Sequence, residues 1–332
     1  MTKMAFLSCC MLLGMVLTGC DSAVESSSPS QGGASGAKLR VVATTTMLGD
    51  LVKQVGGDDI DLGVIMGAGV DPHTYKPSTA DLGELSRAGR VIYNGLHLEG
   101  KMVELFEEKL KGKAFAVAEA IPHERLLAWQ EGQDGAHDPH IWFDVRLWSL
   151  AAEKVRDVLV EADAAHADAH RRRAGEFVAK LKTLDDYARQ TLAKCPKDKR
   201  VLITSHDAYN YFGRAYEVEV LGLQGISTET EAGLANINSA VDFIVSRKIP
   251  AIFVESSVSP KTIERVRDDC KSRGFDVKIG GELYSDAMGT PGEHAGYEVH
   301  TYEGMVRYNV DTIVNALVQG QGARGEGQEK SK

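Results

Sequence analysis

The alternation of short apolar runs with helix-like segments constrains the fold of this chain more than any other feature. Residues 39–45 and 60–66 are strand-like runs, and a segment with helical spacing or a capping pattern follows each of them. The same alternation returns from residue 201 to residue 318. Strands and helices that alternate along a chain form mostly parallel sheets covered by helices. We therefore expect an α/β fold with two lobes, each with a mostly parallel sheet flanked by helices.

A long segment without strand character separates the two alternating regions. Residues 164–193 contain no proline and a single glycine, Gly175, and their apolar residues keep near-helical spacing. A helix of about 30 residues is roughly 45 Å long, and one rigid helix between two lobes restricts their relative motion. We expect a first lobe over residues 38–162, a linking helix over 163–195 with Asp163 as its N-cap, and a second lobe over 196–319. The Gly-rich residues 320–332 are expected to form a disordered tail.

The N-terminus has the pattern of a secreted and lipidated protein. Lys3 precedes an apolar run over residues 4–17, which is too short to span a membrane and is typical of a signal peptide. Leu17-Thr18-Gly19-Cys20 resembles the lipobox of bacterial lipoproteins, which implies a signal peptide over residues 1–19 and acylation of Cys20. Residues 20–37 are rich in serine and glycine and are expected to be a flexible tether. An ordinary signal peptide that ends near a cysteine is the alternative interpretation.

The charge balance and the missing motifs exclude several classes of protein. The chain has 38 basic and 47 acidic residues and a net charge of −9, so it lacks the basic composition of a nucleic-acid-binding protein. No P-loop and no H-E-x-x-H or G-x-S-x-G motif occurs in the sequence. We therefore expect no nucleic acid partner, and any ATP-driven step must depend on another chain.

Two matching tripeptides and one further histidine carry the clearest chemical signal. Asp71-Pro72-His73 and Asp138-Pro139-His140 each place a histidine after a stiff proline, beyond a predicted strand, and each aspartate can orient its imidazole ring. His206 directly follows the predicted strand 201–204. After the last predicted strand, 276–279, the candidates are Asp286 and Glu282. Ligands of α/β sheets bind beyond the carboxyl ends of strands, so we expect these side chains to meet there.

Three imidazoles and one carboxylate suit a single divalent transition metal ion. Imidazole favours zinc, iron or nickel, and a carboxylate extends the range to manganese. With two ligands from each lobe, the ion would form a bridge between the lobes. Glu255 ends the predicted strand 251–254 and is a further carboxylate that can approach the site behind these ligands.

The segments around these residues resemble those of a known family. The resemblance rests on five segments in the family's order: Asp71-Pro72-His73-Thr74-Tyr75, Asn94-Gly95-Leu96-His97-Leu98-Glu99-Gly100, Asp138-Pro139-His140-Ile141-Trp142, Ser205-His206-Asp207-Ala208-Tyr209-Asn210-Tyr211-Phe212 and Gln224-Gly225-Ile226-Ser227-Thr228. They are similar to segments of the zinc- and manganese-binding solute-binding lipoproteins of ABC importers, cluster A-I, and especially to its TroA-like members. The resemblance covers residues 38–318. It implies two α/β lobes joined by a long helix, with His73, His140, His206 and Asp286 as the metal ligands.

The resemblance also implies a function. Members of this family bind Zn²⁺ or Mn²⁺ outside the cytoplasm and deliver it to an ABC permease whose ATPase is a separate chain. We expect the same here, with a monomer held at the extracytoplasmic face of the cell membrane by the lipid on Cys20. Many manganese-binding members have glutamate where this chain has His206, and many zinc-binding members have a long histidine-rich loop where it has residues 131–137. Zn²⁺, Mn²⁺ and Fe²⁺ therefore all remain candidates.

Two functions other than transport remain open at the level of the sequence. A metal-dependent hydrolase needs an open coordination position and a nearby base, for which Glu255 is the only candidate. A surface adhesin with a lipid anchor and a structural metal ion would use the same anchor and tether without taking part in uptake.

Cys195 and Cys270 are the two thiols that remain if the signal peptide is removed and Cys20 is acylated. In an oxidising compartment such a pair can form a disulfide. A disulfide requires the two Cα atoms to lie within about 7 Å of each other, so the pairing is a hypothesis for the structure to test.

Overall fold

Four parallel strands form the sheet of the first lobe. The computed structural model describes residues 37–129 and 135–325. The strands have the bounds β1 Leu39–Ala43, β2 Ile60–Val64, β3 Arg90–Tyr93 and β4 Ala114–Ala116. They lie in the order β2-β1-β3-β4, and every pair is parallel. Val41, Val42 and Ala43 of the central β1 are fully buried, as expected for a strand covered on both faces.

Two helices and two short turns follow the first three strands of this lobe. Their bounds are α1 Thr46–Gly56, α2 Thr79–Arg87, a 3₁₀ turn Gly100–Met102 and a π-helical turn Leu105–Lys109. Helix α1 begins where Thr45 Oγ1 accepts a hydrogen bond from Leu48 N at 3.4 Å. Helix α2 begins with a capping box, in which Ser78 and Asp81 each accept a hydrogen bond from the other's backbone N–H.

The long helix between the lobes begins later than the sequence predicts. Helix α3 spans Val145–Ala162, a 3₁₀ turn follows at Ala164–His166, and the long helix α4 spans Ala167–Leu192. Asp163 does not cap it, because its carboxylate contacts His166 Nδ1 at 2.9 Å and His170 Nε2 at 3.1 Å. With 26 residues, α4 is about 39 Å long.

The second lobe contains two pairs of parallel strands. Their bounds are β5 Val201–Thr204, β6 Glu219–Gly222, β7 Ala251–Glu255 and β8 Lys278–Leu283. β5 pairs with β6, β7 pairs with β8, and β5 packs beside β7. The helices are α5 Asn210–Tyr216, α6 Leu234–Arg247, α7 Lys261–Ser272 and α8 Tyr302–Gly325. α8 continues to residue 325, into the segment 320–332 that was expected to be a disordered tail, because glycine lowers helix propensity without forbidding a helix.

One cluster of buried apolar side chains extends through both lobes. It includes Val41 of β1, Trp148 of α3, Leu181 of α4, Phe253 of β7 and Ile313 of α8. Helix α4 packs against α1, α3 and α8. The chain from Lys38 onward forms one compact unit. Because protein interiors are close-packed, a shared core of this kind restricts motion of one lobe against the other.

Several predicted segments lie outside the described residues. They are the signal peptide over residues 1–19, the acylated Cys20, the tether except Ala37, positions 130–134 before the second tripeptide and the tail from residue 326. Within the described part of the chain, no helix is both long and apolar enough to cross a membrane.

The disulfide hypothesis for Cys195 and Cys270 is wrong. Both residues are free, fully buried thiols. They lie in different apolar clusters: Cys195 packs in the core shared by both lobes, and Cys270 packs on α7 in a separate core of the second lobe. Burial raises the pKa of the Cys270 thiol to about 11, so both its environment and its protonation make it unreactive.

Candidate metal centre

The four candidate ligands meet between the two lobes. His206 lies two residues after the end of β5, and Asp286 lies three residues after the end of β8. His73 follows β2 after a loop, and His140 directly precedes a short 3₁₀ turn. All four side chains are buried, with at most 4% of each residue exposed. Glu282, the other candidate carboxylate, is exposed and lies within β8.

The spacing of the four groups suits one small cation. His73 Nε2 lies 3.2 Å from His140 Nε2, and His206 Nε2 lies 3.1 Å from Asp286 Oδ2. The Asp286 oxygens lie 3.6 Å from His73 Nε2 and 3.5 Å from His140 Nε2. One ligand atom from each residue can be chosen so that all lie within 4.8 Å of one another. Nitrogen and oxygen ligands about 2.0–2.1 Å from a tetrahedral ion lie about 3.3 Å apart, close to these distances.

The buried polar atoms of this cluster have few partners among the described residues. His206 Nε2 and both oxygens of Asp286 make no hydrogen bond of good geometry to a described residue, although His206 Nε2 lies within ion-pair distance, 3.1 Å, of Asp286 Oδ2. A buried carboxylate without hydrogen bonds is energetically costly unless a positive charge compensates it. The donor set therefore fits a divalent cation, which would contact all of these atoms at once.

A carboxylate stands behind two of the three imidazole rings. Asp138 Oδ1 lies 2.7 Å from His140 Nδ1 and also accepts a hydrogen bond from His140 N at 2.9 Å. Glu255 Oε2 lies 2.7 Å from His206 Nδ1, and its Oε1 accepts from His206 N at 2.9 Å. A carboxylate on Nδ1 leaves Nε2 free for a metal and fixes the direction of the ring.

Asp71 holds the third histidine in a different way from the expected one. Its Oδ1 accepts a hydrogen bond from the backbone N–H of His73 at 2.9 Å and does not orient the ring. Its Oδ2 accepts hydrogen bonds from Thr74 Oγ1 at 3.0 Å and from Thr228 Oγ1, in the second lobe, at 2.6 Å. Asp71 therefore fixes the turn that carries His73 and connects that turn to the opposite lobe.

Burial and neighbouring charges set the protonation of the cluster before a cation binds. Burial is the main reason that the pKa of His73 falls to about 3, so this ring is neutral at pH 7. Burial also acts to lower the pKa of His206, but the carboxylates of Glu255 and Asp286 raise it well above its usual value. Burial acts to raise the pKa of Asp286, but His206 and the other imidazoles hold it well below its usual range. His206 is therefore protonated and Asp286 ionised.

Several further residues contact the backbone next to the ligands, and the sequence did not single them out. Trp142 Nε1 donates to Ser285 O at 2.9 Å, and Tyr209 OH donates to Tyr284 O at 3.0 Å. Asn94 contacts Pro139, and Asn309 contacts Tyr284. Trp142, Tyr209 and Asn94 lie in the segments that carry the family resemblance, so that resemblance could have pointed to them. Asn309 lies in α8, outside those segments.

The fold and the buried cluster together define a two-lobed α/β protein with one central site for a divalent metal ion. The chain belongs to the family described as "ZnuA: Zinc-uptake complex component A periplasmic", whose model matches residues 41–316. The family resemblance and the fold class inferred from the sequence are thereby confirmed.

Individual relatives show the same similarity over nearly the whole chain. The manganese-binding lipoprotein MntA of Bacillus subtilis is 43% identical over 302 residues, which are 91% of this chain and 95% of that protein. The zinc-binding protein TroA of Treponema pallidum is 43% identical over 314 residues, which are 94% and 98% of the two chains. The solved structure of the periplasmic zinc-binding protein TroA from Treponema pallidum matches with a TM-score of 0.80 and 44% identity, covering 85% of this chain and 99% of that one.

Proposed function

We propose that this protein binds one Zn²⁺ or Mn²⁺ ion outside the cytoplasm and delivers it to an ABC permease whose ATPase is a separate chain. The observation that carries this proposal is the buried cluster of His73, His140, His206 and Asp286, whose ligand atoms lie close enough together to hold one cation. These four residues are the proposed ligands. Membership of a zinc-uptake family supports the transport role.

The donor set admits more than one metal ion. Three imidazoles and a carboxylate bind Zn²⁺ more tightly than Mn²⁺ by the usual affinity order, and Fe²⁺ also accepts this set. One relative with 43% identity is named for manganese and another for zinc, so similarity alone does not separate the two ions. The ion that the protein carries in its host then depends on metal availability as well as affinity.

The proposed delivery route needs the protein to stay at the membrane. A lipid on Cys20 would hold it at the outer face of the cell membrane, and residues 20–37 would act as a flexible tether for a monomeric body. Dual or triple acylation makes such anchoring stable, whereas a single chain binds a membrane only marginally.

The contacts of Glu255 argue against a hydrolase. A hydrolytic role requires a base that can take a proton from a metal-bound water. Both oxygens of Glu255 contact His206, one at its ring and one at its backbone N–H, and the side chain is buried. Glu255 is therefore a positioning group for His206, and we infer that the protein is not an enzyme.

Elemental analysis and uptake measurements test the proposal together. Protein purified from its own host without added metal is expected to contain about one Zn or Mn per chain. A strain that lacks the gene is expected to take up less of that metal, and the intact gene should restore uptake. An intact protein without bound metal would contradict the proposal. A deletion strain with normal metal uptake and impaired surface adhesion would contradict transport and favour the adhesin.

A further inference from the structure

The backbone before Asp286 is held by a buried asparagine from the last helix. Asn309 lies on α8 and is 2% exposed. Its Nδ2 donates to Tyr284 O at 2.7 Å, and its Oδ1 accepts from Tyr284 N at 3.0 Å. Since the amide uses its donor and its acceptor on one residue's backbone, only one orientation of the side chain satisfies both. Tyr284 is thereby fixed two residues before the proposed ligand.

The backbone before His140 is held by a second buried asparagine, in the first lobe. Asn94 follows β3 directly and is 1% exposed. Its Nδ2 donates to Pro139 O at 2.9 Å and to Gly95 O at 3.0 Å. Both neighbours are carbonyl acceptors, so the amide nitrogen has to face them. Pro139 immediately precedes His140, so this contact fixes the peptide from which the ligand projects.

Asn94 is itself anchored to the sheet by a buried carboxyl group. Glu99 accepts hydrogen bonds from Asn94 N and from Thr44 Oγ1, each at 2.7 Å. Between Asn94 and Glu99, Gly95, Leu96 and His97 all have positive φ values, of 86°, 53° and 63°. Residues other than glycine rarely adopt this conformation, and it persists only where the surrounding contacts impose it. The loop therefore forms a rigid support between the ends of β1 and β3 and the second tripeptide.

We propose that Asn309 and Asn94 are positioning residues of the metal centre, which set its affinity and geometry through the backbone that carries Asp286 and His140. The inference rests on the proposed function. Neither asparagine contacts a proposed ligand side chain, and both ligands lie in loops outside strands and helices. A ligand on an unsupported loop loses conformational freedom when it binds, whereas a preorganised one does not. The two asparagines supply this preorganisation, one from each lobe.

Binding of Co²⁺ tests this role, because its visible absorption reports coordination geometry. Replacing Asn309 or Asn94 by alanine is expected to weaken Co²⁺ binding about ten-fold, the lower end of the range for groups that orient metal ligands. The visible spectrum of the bound Co²⁺ is expected to change in shape. The matched control is Asn315→Ala, which removes an exposed asparagine from the same helix as Asn309 and should leave both measurements unchanged.

A second variant of each residue separates positioning from loss of the fold. Asn309→Asp keeps the size of the side chain and an acceptor for Tyr284 N but cannot donate to Tyr284 O. Asn94→Asp likewise cannot donate to Pro139 O. If an alanine variant does not fold, as judged by circular dichroism and thermal unfolding of the full chain, the aspartate variant is measured in its place. We expect weaker Co²⁺ binding and an altered Co²⁺ spectrum in the alanine variant and in the aspartate variant alike.

The outcomes distinguish this inference from the proposed function. If the unaltered protein binds neither Zn²⁺ nor Mn²⁺, the proposed function itself is contradicted. If the unaltered protein binds tightly and the folded variants bind with the same affinity, the positioning role is overturned while the proposed function stands. Weaker binding with an unchanged Co²⁺ spectrum also overturns it, because a general loss of stability would then explain the effect.

Discussion

At the scale of single residues, His206 is the ligand whose charge depends most on its surroundings. It lies between two carboxylates, with Glu255 at Nδ1 and Asp286 at Nε2. Burial alone would lower its pKa, yet the two carboxylates raise the pKa well above the usual value. His73, with its pKa lowered to about 3 mainly by burial, is already neutral. A cation that enters the site therefore has to displace a proton from His206 and none from His73.

This difference predicts a definite pH dependence of metal binding. Since the raised pKa keeps His206 protonated at neutral pH, a rise in pH favours the free ring and strengthens binding, and a fall in pH weakens it. We expect the apparent affinity for Zn²⁺ to change about ten-fold per pH unit near neutrality, with release of about one proton per ion. Calorimetry in buffers of different ionisation enthalpy measures this number. Binding without proton release would contradict the assigned protonation state.

The choice between zinc and manganese is expected to depend on the same residue. His206→Glu replaces an imidazole by a carboxylate, a harder ligand that suits Mn²⁺ better. Competition between the two ions should therefore show a higher ratio of Mn²⁺ to Zn²⁺ affinity in the variant. His123→Glu, which places the same new charge at an exposed position outside the metal centre and its supporting loop, is the matched control. An unchanged ratio of Mn²⁺ to Zn²⁺ affinity in His206→Glu would show that His206 does not determine the selectivity.

At the scale of secondary-structure elements, helix α4 determines how the lobes are joined. Its buried residues include Phe177, Leu181 and Leu184, which repeat at helical spacing and face the core shared by both lobes. Such packing opposes bending of the helix and rotation of one lobe about it. The element is thus part of the core rather than a free connection between two domains.

Removal of one core side chain from α4 tests its contribution to stability. Leu181 is 1% exposed, so Leu181→Ala should lower the free energy of unfolding by about 2–5 kcal/mol. Lys182→Ala, at the next and exposed position, should change it by less than about 0.5 kcal/mol. Denaturant unfolding of the two variants gives both values. Equal, small effects would show that α4 is not packed as described.

The sequence predicted the elements whose signals are local. Strand β5, the capping box of α2 and the positions of His73, His140 and His206 follow from patterns a few residues long. The start of α4 was missed because Asp163 binds two histidine rings from the following residues instead of capping the helix. The sequence did not predict that Cys195 and Cys270 are free thiols, because this depends on which apolar core each residue packs in. No local sequence pattern carries that information.

Parts of the site were beyond prediction for the same reason. The ring contacts of Asp138 and Glu255 were among the expected possibilities, but Asp71 contacts backbone and the opposite lobe instead of a ring. Asn309 lies far along the chain from Tyr284 and reaches it only because α8 packs against β8. Contacts of this kind arise from tertiary packing and leave no periodic signal in the sequence.

At the scale of the whole molecule, the cluster joins two lobes that already share a core. His73 and His140 come from the first lobe, and His206 and Asp286 come from the second. A cation bound by all four would therefore add a direct link between the lobes. A ligand that binds only the folded state stabilises it, and the gain grows with the logarithm of the ratio of free ligand concentration to Kd.

Thermal unfolding is expected to report this link. At free Zn²⁺ about 100 times its Kd, the folded state should gain about 2.7 kcal/mol, which raises the unfolding temperature by several degrees. His73→Ala removes one ligand and should abolish most of this increase at the same Zn²⁺ concentration. An increase of the same size in the variant would indicate that Zn²⁺ binds elsewhere.

The most direct test of the central claim is the position of the bound ion. Anomalous diffraction at the zinc absorption edge, from crystals of the zinc-loaded protein, locates the ion without reference to any assumed ligand. The account predicts one strong peak between His73, His140, His206 and Asp286, with zinc–nitrogen and zinc–oxygen distances of about 2.0–2.2 Å. A strong peak at another place, or no peak between these four side chains, would contradict it.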